Sequence, residues 1–287
     1  MRKVIYGFSG TLLFTLLFST QIGVSSCTKE TVVHDTTTMQ IHDTTKIMVH
    51  DTIWKSDLIA QHINDSLWGY YPISGSTADS SGHNHNLVLN NGASLSYDKH
   101  GNEQCALNFN GNENYASIAD GAFFPSTSTF SVSLIVMPRA NKGLFFGKQD
   151  YLTAKATSFN VGIDNVVNGA FARFSVSSNQ GQICDQIPVN GYLLSNPNTF
   201  NLLAWYHIVI TFDNGMMKLY INGTLVNSRT ISVQTINSCS NGQFIFANWW
   251  LGDHNGFDGK MDEIRIYTRA LSDIEAKYLF DKCSINL

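Results

Sequence analysis

Residues 205–223, WYHIVITFDNGMMKLYING, constrain the fold more than any other stretch of this chain. Two short runs rich in β-branched and aromatic residues flank Asp213-Asn214-Gly215. Asn-Gly tolerates the positive φ that a tight hairpin demands, so the two runs are expected to pair as antiparallel strands. Asn222-Gly223 supplies a second such turn directly afterwards. The same texture begins at about Ile63 and continues almost to the end. Short runs such as Leu67–Ile73, Phe130–Pro138, Ser158–Ile163, Gly181–Ile187 and Met261–Tyr267 are broken by Gly, Asn and Asp. Many short strands with few helical patterns predict a sandwich or barrel. FSVSLIVMP and YHIVITF carry apolar residues on both faces, as central strands of stacked sheets do. Trp205, Phe212, Leu219, Ile221 and Ile266 are expected in the core. One helix is legible: Ser272-Asp273-Ile274-Glu275 is a capping box, and Ile274, Tyr278 and Leu279 then form an apolar face.

Three motifs together resemble a known family. WYHIVITFDNGMMKLYINGTLV is similar to the central hairpin of laminin-G-like, concanavalin A-like domains, with Tyr206 inserted where that family often has Trp and His adjacent. GFDGKMDEIRIYTRALSDIEAKYLF resembles their closing strand and helix, and GYYPISGSTADSSGHNHNLVLNNG their opening strand and loop. The motifs bracket residues 67 to 280. The resemblance implies an all-β chain: a two-sheet antiparallel jelly-roll sandwich of the concanavalin A-like kind, with one short C-terminal helix. It implies little about ligand, because one fold hosts many functions. It also implies a structural calcium ion held by Asp79, a carbonyl near Asn84, and Asp262, with a self-capping Asx-turn at Asp79 as the alternative.

Catalysis is not expected. Glycosidases of this fold need two carboxylates about 5–10 Å apart, commonly on alternate residues of one strand. The glutamates are Glu30, Glu103, Glu113, Glu263 and Glu275, and none stands in a Glu-x-Asp-x-x-Glu arrangement. Asp262 and Glu263 are adjacent, so in a regular strand they point to opposite faces. No nucleophile elbow is visible. The formal net charge is -4 and no basic stripe occurs, which excludes nucleic acid as an expected partner.

The front of the chain has a different character. Met1-Arg2-Lys3 precedes a mostly apolar run to Val24, and small residues crowd its end before Cys27. That end resembles a bacterial lipoprotein signal, which implies a lipidated Cys27 and a membrane anchor. Thr28-Lys29-Glu30 resembles the export tag of Bacteroidetes surface lipoproteins, which implies an outer-membrane lipoprotein exposed at the cell surface. His-Asp-Thr then recurs at His34, His42 and His50, eight residues apart. In an extended chain the copies present one face but lie ~26 Å apart, too far to share an ion. Residues 28–62 therefore read as a stiff tether, residues 1–27 as the signal, and residues 63–287 as the domain. Thr36, Thr44, Thr52 and Ser66 follow aspartates in a pattern that resembles Bacteroidetes O-glycosylation sites.

With Cys27 lipidated, Cys105, Cys184, Cys239 and Cys283 remain. An even number in an exported chain suggests disulfides with three possible pairings, of which Cys184–Cys239 with Cys105–Cys283 is favoured; the alternative is four buried thiols. The expected function is non-catalytic display of a module for carbohydrate or glycoconjugate, the alternative being a protein-interaction or structural subunit without a sugar site. The ligand edge is placed at Asn248, Trp249, Trp250, Asp253 and His254. Adjacent tryptophans in a strand point opposite ways, so at most one is core and the other is exposed to stack on a sugar or anchor a partner; the alternative is that both are buried, one in the sandwich and one under the Asp79 loop.

Overall fold

The computed structural model describes residues 58–118, 124, 127–150, 156–166, 169–177, 191–239, 242–248 and 256–283. The signal, the His-Asp-Thr repeat with Thr36, Thr44 and Thr52, and Cys27 and Cys184 lie outside the described residues.

The strands are β1 (Leu67–Tyr71), β2 (Leu87–Asn90), β3 (Ser94–Ser96), β4 (Ala106–Asn110), β5 (Tyr115–Ile118), β6 (Thr129–Pro138), β7 (Gly143–Asp150) and β8 (Ala156–Val166). They continue with β9 (Gly169–Val176), β10 (Tyr192–Leu194), β11 (Tyr206–Asp213), β12 (Met216–Ile221), β13 (Thr224–Thr230), β14 (Gln243–Phe246) and β15 (Asp258–Tyr267). Helix α1 (Asp273–Cys283) follows. Sheet I runs β13-β12-β11-β6-β15-β4-β3, with β1 also paired to β15; sheet II runs β10-β9-β8-β7-β14-β5-β2. Every pairing is antiparallel within these two sheets. The architecture is the expected two-sheet sandwich with one short C-terminal helix.

The turns form where the sequence predicts them. Asn214 and Gly215 have φ of 46° and 92°, Asn222 and Gly223 of 51° and 71°, so both hairpins use consecutive left-handed residues. From Tyr206, alternate side chains enter the space between the sheets: Tyr206, Ile208, Ile210 and Phe212 join one apolar core with Phe130, Phe146, Phe159, Phe174, Phe244 and Phe246. Because the inward register starts at Tyr206, Trp205 is only half-buried and not in that core, contrary to expectation. The Tyr206 hydroxyl accepts the Asn201 N–H at 2.7 Å.

The outer face of sheet I is covered as well, which explains why β6 and β11 are apolar on both sides. Val209, Tyr220 and Tyr267 pack there against Leu271, Ala276 and Leu279 of the C-terminal segment and against Ile63 and Leu67. The capping box is formed: Glu275 accepts the Ser272 N–H at 2.8 Å, and Ser272 Oγ accepts the Glu275 N–H at 3.3 Å. Ile274, however, is 63% exposed, and Ala276 with Leu279 makes the buried face of α1. Ile274 falls in the first turn beside Asp273, which reaches out to Tyr220 and Lys218, and that rotation turns Ile274 to water. Cys283 carries a thiol rather than half a disulfide, so the Cys105–Cys283 pairing is not formed. It closes α1 on the outside of sheet I beside Arg265, whereas Cys105 is buried ahead of β4.

Candidate functional site

The loop after β1 is organised by Asp79. Its Oδ1 accepts the N–H groups of Tyr70 and Ser81 at 2.9 and 2.8 Å. Its Oδ2 accepts Ser81 Oγ–H at 2.8 Å and the His85 N–H at 3.0 Å. An ionised carboxylate has about four lone-pair sites, and all are engaged by donors. Partial burial raises the Asp79 pKa, but these hydrogen bonds outweigh it and hold the carboxyl below its usual range. Asn84 is exposed with φ of 62°, and Asn86 rather than Asn84 closes the loop by accepting the Asp79 N–H at 2.9 Å. Asp262 Oδ1 accepts the Glu263 N–H at 2.7 Å. Among the described residues no group of three or more His, Cys, Asp or Glu side chains is placed to hold a metal ion. The donor set at Asp79 forms an Asx-turn that pins the loop to β1.

The carboxylates of β15 depart from the expected alternation. A bulge lies between Asp262 and Arg265, and Glu263 sits in it with φ of 52°. Extra residues break the period of two. Met261, Ile264 and Ile266 enter the core, while Glu263 reaches Tyr70 Oη at 3.2 Å and Arg265 Nη1 at 3.1 Å. The Asp262 charge bears on the same Tyr70 and on Lys99. Both carboxylates thus work toward one cluster, against the prediction that they face opposite ways. Nearby, buried His207 joins Ser133 Oγ through Nε2 at 2.8 Å; desolvation, then the charges of Arg265 and Lys99, lowers its pKa to about 3. Glu263 is committed to Tyr70 and Arg265, and the cluster is a structural ion-pair network.

The predicted ligand edge lies only partly in view. Trp249, Trp250, Asp253 and His254 are outside the described residues. Asn248 is buried, not part of an exposed edge, because the chain there folds onto sheet II: its carbonyl accepts Gln149 Nε2–H at 3.0 Å. Ser66 is exposed in the turn before β1.

Folding also builds a surface that the motifs did not single out. Along β8, Phe159, Val161 and Ile163 face the core, so Asn160 and Gly162 face outward. Register extends this outward row across sheet II through Ser117, Ile245, Gly147, Asn160 and Ser175. The row is buried, neutral and mostly polar. Asn90 donates to Ser117 Oγ at 3.1 Å, and Arg173 Nε donates to Ser175 Oγ at 2.9 Å. Its signal was the plain alternation of Ser158–Ile163. A second buried polar residue, Lys148, faces inward beside Phe244: Nζ donates to the Gly242 carbonyl at 3.2 Å, and burial lowers its pKa to about 8.

Comparison with known proteins places this geometry. A laminin G family model described as the concanavalin A-like lectin/glucanases superfamily matches residues 110–277. The chain belongs to that superfamily. No curated protein matches the chain. Among solved structures it is similar to domain 4 of AbnA, a GH43 extracellular arabinanase from Geobacillus stearothermophilus, in complex with arabinotriose: 22% identity, TM-score 0.55, 75% of this chain and 98% of that one. It is also similar to the binding domain of Paraclostridial Mosquitocidal Protein 1, at 21% identity and TM-score 0.57, covering 77% of this chain and 53% of that one. A third is the ligand-binding domain of botulinum neurotoxin serotype D in complex with N-acetylneuraminic acid, at 16% identity and TM-score 0.54, covering 78% and 52%. The chain spans about half the length of these toxin binding domains. At such identities the likeness is one of fold. Several of the similar structures are binding domains, while the superfamily also includes glucanases.

Proposed function

We propose that this protein is a non-catalytic glycan-binding module held at the cell surface by a lipid anchor. The observation that carries the reading is the outer face of sheet II, where, among the described residues, buried hydroxyl and amide side chains form a row with no carboxylate pair in it. Neutral hydrogen-bonding groups on a rigid sheet suit polyhydroxylated ligands and lack the acid–base pair that glycoside hydrolysis uses. The similar structures with arabinotriose and with N-acetylneuraminic acid bound lend support. The full mature chain should bind at least one immobilised saccharide saturably and release no reducing ends from it. Steady turnover of any saccharide would sink the non-catalytic reading.

A second reading, a protein-interaction subunit, is favoured by β13. All seven of its residues are exposed at the edge of sheet I, with Leu225 and Val226 each 40% exposed. Such an edge offers unpaired backbone groups to a partner strand. Stoichiometric capture of one protein with no saccharide bound would select it.

Anchoring rests on the sequence around Cys27, and display on the charged residues behind it. The tether of residues 28–62 sets the domain away from the membrane, and sugars on Thr36, Thr44, Thr52 and Ser66 would keep it extended. Two measurements check this. Cys27→Ser should move the protein from the membrane to the soluble fraction, and protease added to intact cells should shave the wild type. An intact mass equal to protein plus lipid alone removes the sugars from the proposal; an unmoved Cys27→Ser variant removes the anchor.

A further inference from the structure

Two histidines in the loop after β1 are each held by one ring nitrogen, with the other left open. His83 is exposed and His85 is half-buried, so solvent reaches both rings. His85 Nδ1 lies 2.8 Å from the Trp68 carbonyl oxygen. A carbonyl only accepts, so Nδ1 carries the proton and Nε2 keeps its lone pair. His83 Nδ1 lies 3.0 Å from Ser81 Oγ. The one hydroxyl proton of Ser81 goes to Asp79 Oδ2 at 2.8 Å rather than to the Trp68 carbonyl at 3.3 Å. Ser81 Oγ therefore accepts from His83 Nδ1, and Nε2 of this ring keeps its lone pair as well. Neither Nε2 has a protein partner among the described residues.

Metal-binding histidines are supported in this way. A ligating imidazole donates its other N–H to a carbonyl or carboxylate, which fixes the tautomer, orients the ring and raises its basicity. His85 meets a carbonyl directly, and His83 meets the Asp79 carboxylate through Ser81. Asp79 also accepts the His85 N–H at 3.0 Å, so one negative charge stands behind the pair. The Trp68 ring, with its centroid 3.9 Å from that of His85, holds the second imidazole in place. The two imidazole centroids are 5.7 Å apart and their planes are 15° from parallel. A metal ~2.1 Å from each Nε2 keeps two such centroids within roughly 6.5 Å of one another, so the spacing suits one shared ion.

The donor set selects the class of metal. Neutral imidazole suits copper, nickel and zinc, whereas calcium and magnesium take oxygen donors. A closed structural zinc site uses four protein ligands. Two histidines are fewer than three, in keeping with the lack of a larger ligand group among the described residues, and they leave positions for water or an outside donor.

We propose that the Nε2 atoms of His83 and His85 form an open two-histidine site for a divalent first-row transition metal ion of the copper, nickel or zinc kind. The site stands apart from the glycan-binding reading and survives its failure.

The test uses the full mature chain with His34→Ala, His42→Ala and His50→Ala, so that the repeat's imidazoles do not compete for metal. Isothermal titration calorimetry with Cu(II) should show one equivalent bound. His83→Ala or His85→Ala in that chain should weaken it at least about tenfold, since even an outer partner of a ligating histidine is worth 10–100-fold. His83 is exposed, so His83→Ala should leave the metal-free Tm unchanged. Electron paramagnetic resonance of the Cu(II) complex should show two imidazole nitrogens before that substitution and one after it. Ca(II) should give the same heat with and without His83. Unchanged Cu(II) affinity or an unchanged nitrogen count in His83→Ala overturns the site, as does a starting chain that binds no Cu(II). An equal loss in His62→Ala or His100→Ala would mean that surface histidines take up metal at large, and it overturns the site too.

Discussion

Glu263→Ala should destabilise the protein by about 3–5 kcal/mol in urea denaturation, the loss expected when one partner of a buried ion pair is removed. Glu263 and Arg265 have side chains only 5% and 14% exposed, and the contact between them is 3.1 Å. The guanidinium also lies 4.1 Å from the Tyr70 ring centroid, and Tyr70 donates to Glu263. Removing the carboxylate strands the Arg265 cation beneath α1, in the same neighbourhood as the Lys99 charge, since both bear on His207. Desolvating both charges is itself costly, so the pair as a whole adds little net stability. The double variant Glu263→Leu with Arg265→Met should therefore recover most of the loss. Glu263 also carries a left-handed φ of 52°, so Glu263→Gly should lose less than Glu263→Ala at the same position. A Glu263→Ala loss under about 1 kcal/mol would mean that water already reaches the pair. Such a result would reopen the question of whether Glu263 is available for chemistry.

Local rules carried much of the fold. Asn214-Gly215 and Asn222-Gly223 specify their turns through positive φ alone, and Ser272 with Glu275 specifies a helix start through two reciprocal hydrogen bonds. Those signals depend on neighbours in sequence, so they are legible without a structure. Departures arise where distant elements decide. Trp205 looked like core, but the pairing of Tyr206 with Val136 sets the inward register one residue later. Ile274 looked like the buried face of α1, yet Asp273 is drawn to Lys218 and Tyr220 on β12. Asp262 and Glu263 looked like opposite-facing residues of a regular strand; a bulge, which no local pattern announces, turned both toward one cluster.

The candidate site was less legible for a related reason. Aspartate beside serine, glycine and asparagine suggests a cation loop, but whether the carboxylate meets a metal or N–H groups depends on how the loop meets β1. Here the Tyr70 and His85 N–H groups both donate to the Asp79 carboxylate. The outward row of sheet II draws single residues from five strands, so no contiguous motif contains it. Only the alternation within β8 hints that Asn160 belongs to a polar face.

Phe130→Ala should cost about 3–5 kcal/mol, the range for truncating a buried aromatic in a core that cannot close over the void. Phe130 is 0% exposed and stands on β6 in the middle of sheet I. Its ring centroid lies 4.4 Å from that of Phe159 on β8, 5.6 Å from Phe212 on β11 and 6.3 Å from Phe174 on β9. One side chain thus bridges both sheets. Its neighbours are held by backbone ladders, so they relax little toward the gap, which favours the upper part of the range. Phe130→Leu, which keeps most of the volume, should recover much of the loss. Ile274→Ala, at an exposed position on α1, should change stability by no more than about 0.5 kcal/mol. The Phe130 effect also reaches the polar row, because Phe159 and Asn160 are consecutive on β8 and hold opposite faces of one strand. Amide hydrogen exchange along β8 should quicken in Phe130→Ala and remain at the wild-type rate in Ile274→Ala. If Phe130→Ala unfolded at the wild-type denaturant midpoint, the aromatic bridge would be packing without tension across the sandwich, and β8 would owe its rigidity to its ladder with β7 and β9 alone.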